Sequence, residues 1–405
     1  DIDPRGPRPE VMARIRERWA RALDNPLNPI LVKSGPCKEN IQIGDEVDLE
    51  KFPAPFLHEG DGGRYIGTWT TVITKDPDTG WVNWGMYRLM LHDKKSMGIQ
   101  LIPIQHIGLH YFMKYEPRNL PMEFAVVMGT EPVTSLMSST TCPPGVDEAA
   151  IVGAIRGEPL ELVKCETVDL AVPATSEIVF EGEIRPYERM EEGPFGEFTG
   201  YRGGGRHPQP VCRVKAITHR NDPILPVSCL GVPVDDSAAR RPLAAADILD
   251  DLRTRGFPVK MVYQHLEASP LLYTISTKVP YPSYAKQLAA AVWGSHTWGK
   301  MANFLIVVDE DVDVTNLNEV VWALTTRCHP ENGILKMAKT AGFALLPFTS
   351  MAEKRLNLGA HVLFDCTWPK EWPKDEVPVK ASFDVLWPKE IQEKVLKNWS
   401  KYGYK

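Results

Sequence analysis

The chain has 405 residues, 43% of them apolar and 24% charged, a balance that supports buried cores and two or three domains rather than a small module. A formal charge of −6 argues against a general nucleic-acid binder, which carries a basic face. No apolar run approaches the roughly 18 residues that a membrane span needs. The cysteines Cys37, Cys142, Cys165, Cys212, Cys229, Cys328 and Cys366 are odd in number and form no CxxC pair. A disulfide framework or zinc ribbon is therefore not expected, and a cytoplasmic location is. No secretory leader pattern opens the sequence. It starts at Asp1 rather than Met, and more chain is expected upstream.

Taken in chain order, Val11, Ile15, Trp19 and Leu23 recur at helical spacing after Pro9 and stop at Asn25-Pro26, which predicts a first helix. From Glu46 to Ile217 the signals are mostly strand and turn. Tyr65–Thr74, Met122–Met128, Ile178–Ile184 and Val211–Ile217 are β-rich runs between Gly and Pro punctuation. One helix, Val146 to Arg156, interrupts them and ends at Gly157 as a C′ glycine would. After Pro223, strand-like Val259–Tyr263 precedes a helix at Tyr284–Trp293, and Phe304–Val308 precedes another from Asn316 to Thr326. That alternation predicts an α/β unit with a partly parallel sheet. A Pro- and Lys-rich linker follows from Trp368 to Trp387. A last helix then carries Ile391, Val395 and Trp399 on one face, suited to docking on a neighbouring domain or subunit.

Four stretches could carry chemistry. In Glu191-Glu192-Gly193-Pro194-Phe195-Gly196-Glu197-Phe198 two carboxylates flank a Gly-Pro-Phe-Gly turn. Such pairs suit acid–base work because like charges push pKa values apart, and Phe195 and Phe198 would raise the pKa of Glu197 by burying it. A solvated acidic turn is the plainer reading. In Asn83-Trp84-Gly85-Met86-Tyr87-Arg88, a buried Arg88 would need a carboxylate partner, which Glu192 or Glu197 could provide; a surface cation is the alternative. Gln105-His106 lies between apolar runs, where a lone His is more often a core residue than a ligand. His110 follows, but Gly108 between the two makes a helical ligand pair unconvincing. Asp147 and Glu148 open a predicted helix, where acids ordinarily complement the dipole, and the hydroxyl-rich Met137-Ser138-Ser139-Thr140 precedes them. Gly203-Gly204-Gly205-Arg206 lacks the strand–loop–helix setting of a phosphate loop and reads as a flexible hairpin. Asp309-Glu310-Asp311 reads as a polar strand end. The adjacent Cys328-His329 makes a poor nucleophile pair. No Gly-x-Ser-x-Gly, His-Glu-x-x-His or GxGxxG motif occurs.

Together these segments resemble the UbiD family of decarboxylases, which use prenylated FMN. The resemblance rests on Asp61-Gly62-Gly63-Arg64-Tyr65-Ile66, Ile73-Thr74-Lys75-Asp76-Pro77, Asn83 to Arg88, Gln105-His106 and Leu162-Val163-Lys164-Cys165. It continues through Asp169-Leu170-Ala171-Val172-Pro173-Ala174, Glu177 to Gly182, Glu192 to Tyr201 and Arg220-Asn221-Asp222-Pro223-Ile224-Leu225-Pro226. Their common order across most of the chain is what makes it specific.

The resemblance implies an α+β, multidomain fold: a central split β-barrel of the flavin-reductase-like kind, a C-terminal α/β domain and a truncated N-terminal region. The units would be residues 1–40, a helical remnant of an α/β region; 41–222, the barrel; 223–367, the α/β domain; and 368–405, linker and docking helix. Arg88, Glu192 and Glu197 take the places of the catalytic set, with Glu197 as proton donor. Asn83, His106 and Glu148 take those of a metal site tied to the cofactor phosphate, with Mn²⁺ as the ion and K⁺ a second candidate. Met86, Arg88, Gln105 and Ser138 fall with these three on the cofactor site. A basic residue expected near the phosphate is not evident, since Asn303 stands close to its place, with Lys300 nearby. The implied reaction is reversible, non-oxidative decarboxylation of an aromatic, heteroaromatic or α,β-unsaturated acid through a covalent substrate–prenylated FMN adduct. A carbanion at an unsaturated carbon needs an electron sink, and no side chain is one. The implied partners are the acid, CO₂, a flavin prenyltransferase as cofactor supplier and further copies of the chain, as a dimer or hexamer. Two rival readings are a flavin-binding scaffold subunit of a carboxylase and a flavin-free metal lyase. His296 and His329 are candidate substrate contacts in the C-terminal half.

Overall fold

The computed structural model describes residues 8–103, 105–140, 142–295 and 298–404. His296 lies outside them.

A nine-stranded sheet holds the first half together. Its hydrogen-bonded path runs through Tyr65–Gly67, Leu89–Asp93, Ser96–Ile99, His207–His219, Ile178–Glu192, Met122–Met128, Thr70–Lys75 and Val82–Gly85, with Asn40–Ile43 added beside His207–His219. Neighbours are antiparallel throughout. The two long strands, Ile178–Glu192 and His207–His219, form the spine. Their strongly apolar inner residues, among them Phe180, Ile184, Cys212 and Ile217, are fully buried in one core with Phe124, Val126 and Leu89. A second core on the other side joins Ile73, Trp84 and Val127 to Trp19 of the first helix and Val152 of the helix Glu148–Arg156.

Two expectations need correction here. The run Tyr65–Thr74 is two strands, Tyr65–Gly67 and Thr70–Lys75, which pair with different neighbours. The sheet is also open: its path has two ends and no ring closure. The physical reason lies at the end strand Val82–Gly85. Its Trp84 N–H donates to the Glu148 carboxylate (3.3 Å), so a helix side chain occupies the place where a further strand would pair.

The first helix, Arg8–Asp24, and the helix Glu148–Arg156 run as the spacing predicts. The latter is capped by Asp147, whose carboxylate accepts from Ala149 N and Ala150 N, and is ended by Gly157 at φ 84°. Ile30–Val32, Glu161–Lys164 and Ala171–Pro173 make a small three-stranded sheet beside it.

The second half is a five-stranded mixed sheet in the order Val259–Tyr263, Leu272–Thr277, Phe304–Asp309, Leu358–Cys366, Ile334–Ala341. Its central strands are parallel, because the helices Tyr284–Trp293 and Leu317–Arg327 carry the chain back between them. A helix that sequence patterning misses, Asp236–Thr254, leads into this sheet and packs on both the first helix and Val259–Tyr263. Asp309 and Asp311 lie at the strand end, where Arg327 pairs with both. The terminal helix Lys389–Lys397 leaves Ile391 and Leu396 exposed, as is Trp399 just beyond it.

Candidate active site

The strand Ile178–Glu192 delivers Glu192 as its last residue, fully buried. The chain then turns through Gly193, at φ 83°, and comes back under the sheet with Glu197. The turn is clamped from outside. Asp61, itself buried, accepts from Gly196 N (3.1 Å) and from His58 N (3.0 Å), and Gly62 N donates to Pro194 O (2.7 Å). A Cβ at Gly62 would fall 1.9 Å from the Gly193 carbonyl oxygen. Gly62 is thus required by close backbone approach as well as by turn chemistry.

Arg88, between the strands Val82–Gly85 and Leu89–Asp93, reaches into this turn. Its Nε and Nη2 grip both oxygens of Glu192 (2.9 and 2.6 Å), and its Nη1 donates to Glu197. Tyr65 adds a hydroxyl bond to Glu192 (2.9 Å), and Phe195 lies under the guanidinium at 5.1 Å. Burial opposes the charge on Arg88, yet Glu197 and Glu192 outweigh it and hold the guanidinium charged. For Glu197 the balance falls the other way: burial pushes its carboxyl above the ordinary range despite Arg88, and Glu192 adds to the rise. With both oxygens of the Glu192 carboxylate taken by one guanidinium, a second carboxylate in so dry a place favours its protonated form.

A cavity of about 350 Å³ opens beside this cluster. Asn83, Met86, Arg88, Gln105, His106, Ser138, Glu148 and Glu197 all line it. Glu192 does not; it stands behind Arg88. A ring nitrogen of His106 lies 3.1 Å from Asn83 Oδ1, and Glu148 approaches from its helix at Trp84. Glu148 is buried with no ion pair among the described residues, and burial raises its pKa to about 8. An amide oxygen, an imidazole and a carboxylate short of positive charge are a donor set that fits a divalent cation. Among the described residues no group of three or more His, Cys, Asp or Glu could hold a metal ion, here or elsewhere, so the amide oxygen of Asn83 is needed to complete this set. His110 ends the same short helix, His106–His110, so the stretch is helical despite Gly108. It points away, towards Thr74 (3.1 Å), and burial depresses its pKa to about 4. It is a core histidine.

The opposite wall comes from the second half, and most of it was not visible in the sequence. Tyr273, Met301, Phe343 and Leu345 give it an apolar surface, while Arg240 and Lys300 give it charge. Arg240 lies over the Phe198 ring at 5.0 Å. Lys300, unlike Asn303, lines the cavity, together with the basic residues Arg88 and Arg240. Asn303 is buried in the sheet, where its Nδ2 donates to Ala360 O (2.9 Å). Burial lowers the pKa of Lys300, as expected of a desolvated ammonium. His329 stays outside the cavity and caps its own turn through Glu331 N and Asn332 N (3.2 Å each). Its neighbour Cys328 faces the Gly333 carbonyl (3.7 Å) instead of the imidazole. The Gly203-Gly204-Gly205 loop passes close to Glu197: a Cβ at Gly203 would sit 3.0 Å from Glu197 Cγ.

Known proteins are similar to this chain in sequence and fold. Residues 30–233 match the model of the 3-octaprenyl-4-hydroxybenzoate carboxy-lyase Rift-related domain, and residues 239–366 match that of the C-terminal domain of the same carboxy-lyase. The chain is 35% identical to the pyrrole-2-carboxylic acid decarboxylase of Pseudomonas aeruginosa, over 98% of its own length and 81% of that protein's. Its fold matches the closed form of the vanillic acid decarboxylase of Sedimentibacter hydroxybenzoicus with a TM-score of 0.86 at 32% identity, covering 98% and 83% of the two chains. An evolved dimeric form of the UbiD-class enzyme HmfF from Pelotomaculum thermopropionicum, in complex with prFMN, matches with a TM-score of 0.74 at 32% identity, over 91% and 80%.

Proposed function

The chain belongs to the UbiD family of carboxy-lyases, and from that premise we propose that it reversibly removes CO₂ from an aromatic, heteroaromatic or α,β-unsaturated acid, with prenylated FMN held in the cavity between the two halves. One observation carries the reading: a guanidinium bound bidentately by one buried carboxylate while it touches a second, desolvated one that faces the cavity.

Prenylated FMN, when bound, supplies the electron sink that the carbon losing CO₂ requires. The side chains do the rest. Glu197 carries the proton, because burial favours its protonated form, and it delivers that proton from its cavity-facing carboxyl to the substrate carbon. In the carboxylating direction the same carboxylate takes the proton back. Arg88 orients the substrate carboxylate and holds Glu197 in place. Glu192, with Tyr65, fixes Arg88 from behind without touching the substrate. Asn83, His106 and Glu148 would hold Mn²⁺, whose charge would offset a phosphate, and Lys300 would contact that phosphate. Met86, Gln105 and Ser138 would contact the flavin. The apolar wall of Tyr273, Phe343 and Leu345 suits a planar unsaturated acid. The exposed apolar face of Lys389–Lys397 supports a homo-oligomer.

The test is co-expression with a flavin prenyltransferase, followed by absorbance and mass analysis of the released cofactor, metal analysis and CO₂ release from a panel of acids that includes pyrrole-2-carboxylate and vanillate. Folded protein that takes up no flavin, or loaded protein that releases CO₂ from none of the acids, would refute the proposal.

A further inference from the structure

A second cavity, of about 190 Å³, lies on the far side of the helix Asp236–Thr254, between that helix and the first helix. Its walls are mainly apolar: Val11, Met12 and Ile15 from one helix, Pro242 from the other, and Leu266 beyond. Into it projects Arg241, only 1% exposed.

The bonding of Arg241 is lopsided. Its Nη1 donates to the carbonyls of His265 and Ala268, the second at 2.8 Å. Its Nε and Nη2 have no partner, and no carboxylate forms an ion pair with it among the described residues. The acid nearest in effect is Glu267, which is exposed. His265 beside it is fully buried, with both ring nitrogens unpartnered. Arg8 lines the same cavity, its Nη1 donating to Thr315 O (3.1 Å).

A buried guanidinium without a counter-charge is among the costliest arrangements in a fold. The pair left open here, Nε and Nη2, is one edge of the planar fork, whose spacing matches the two oxygens of a carboxylate. A tetrahedral oxyanion gains less from an apolar enclosure than a carboxylate with a hydrocarbon body does. We infer that this cavity binds a small apolar monocarboxylic acid, with its carboxylate on the Nε–Nη2 edge of Arg241 and its body against Met12, Ile15 and Leu266. The site is distinct from the catalytic cavity but shares Gln264 as a common wall. The neighbours Arg240 and Arg241 thus face two different cavities from one helix.

Benzoate is the probe, titrated calorimetrically into the cofactor-loaded full chain in a buffer poor in other anions. Benzoate binding should persist in Arg88→Ala, which disables the catalytic cavity, and weaken at least tenfold in Arg241→Met. The Arg241→Met protein should also melt at a higher temperature than the parent when no acid is present, because an unpaired buried charge has been replaced by an apolar chain. That readout stands apart from any binding at the catalytic site. Binding that survives Arg241→Met unchanged, or that vanishes with Arg88→Ala, would overturn the inference. So would a lower melting temperature of acid-free Arg241→Met, since the guanidinium would then already be neutralised within the protein. Inorganic phosphate binding as tightly as benzoate would overturn the assignment to an apolar acid.

Discussion

The two halves that face each other across the main cavity contribute different chemistry to it. The nine-stranded sheet brings the ionisable groups, each tied down by at least one partner: Arg88 to two carboxylates, His106 to Asn83, Glu148 to Trp84 N. The five-stranded side brings mainly shape: Tyr273, Met301, Phe343 and Leu345, with Lys300 and Arg240 as its cations. Under the proposed function, reaction type and substrate choice would be set on separate elements, and each could be perturbed without the other.

The largest effect is expected on the reaction side. Glu197→Gln should lower the turnover of the flavin-loaded enzyme by about 10³-fold, within the range of losing a general acid, while the bound chromophore is retained. Retention of full activity would remove Glu197 as proton donor. Arg88→Lys should cost about 10²-fold, because a point charge cannot grip Glu192 bidentately and Glu197 loses its register. A crystal structure or pH–rate profile of that variant would show Glu197 displaced or its titration moved. On the shape side, Phe343→Ala should alter the ranking of acids by about tenfold in kcat/KM and leave the best substrate's proton-transfer step intact. If it lowers turnover for all acids alike, the division between the halves fails.

The smallest effect concerns stability. Glu148 binds its proton more tightly when folded, with a pKa raised from the ordinary 4.5 to about 8. The metal-free fold should therefore lose stability as pH rises through that window, by at most ~1.4 kcal/mol per pH unit, and hold it below the ordinary carboxylate range. Mn²⁺ should flatten the slope, and Glu148→Gln should abolish it. Thermal melts near pH 5 and pH 8, with and without Mn²⁺, read this directly. A slope unchanged in Glu148→Gln would place its origin elsewhere.

The same division governs what could be read in the sequence. The catalytic turn is legible because its features are local: the Asp-Gly-Gly and Gly-Pro-Phe-Gly turns, and carboxylates next to aromatic residues. The helix Glu148–Arg156 announces itself through its cap and closing glycine. On the other half, Tyr273, Phe343 and Leu345 cannot be told from core residues, since an apolar side chain facing a cavity has the same sequence pattern as one facing a sheet. The helix Asp236–Thr254 is masked by Arg240-Arg241-Pro242, which reads as a break. Ring closure also lies beyond the sequence, because it depends on which group reaches the end strand first.

That group is Glu148, and its bond to Trp84 N has a consequence for how firmly the end strand stays closed. This sheet edge is buried under helices rather than paired with a strand, and within that cover one carboxylate takes up the Trp84 N–H. Removing it leaves an unpaired N–H in a β-rich, apolar strand. Variants at this position should accordingly show their defect as faster amide exchange at Trp84, with the rest of the sheet still folded.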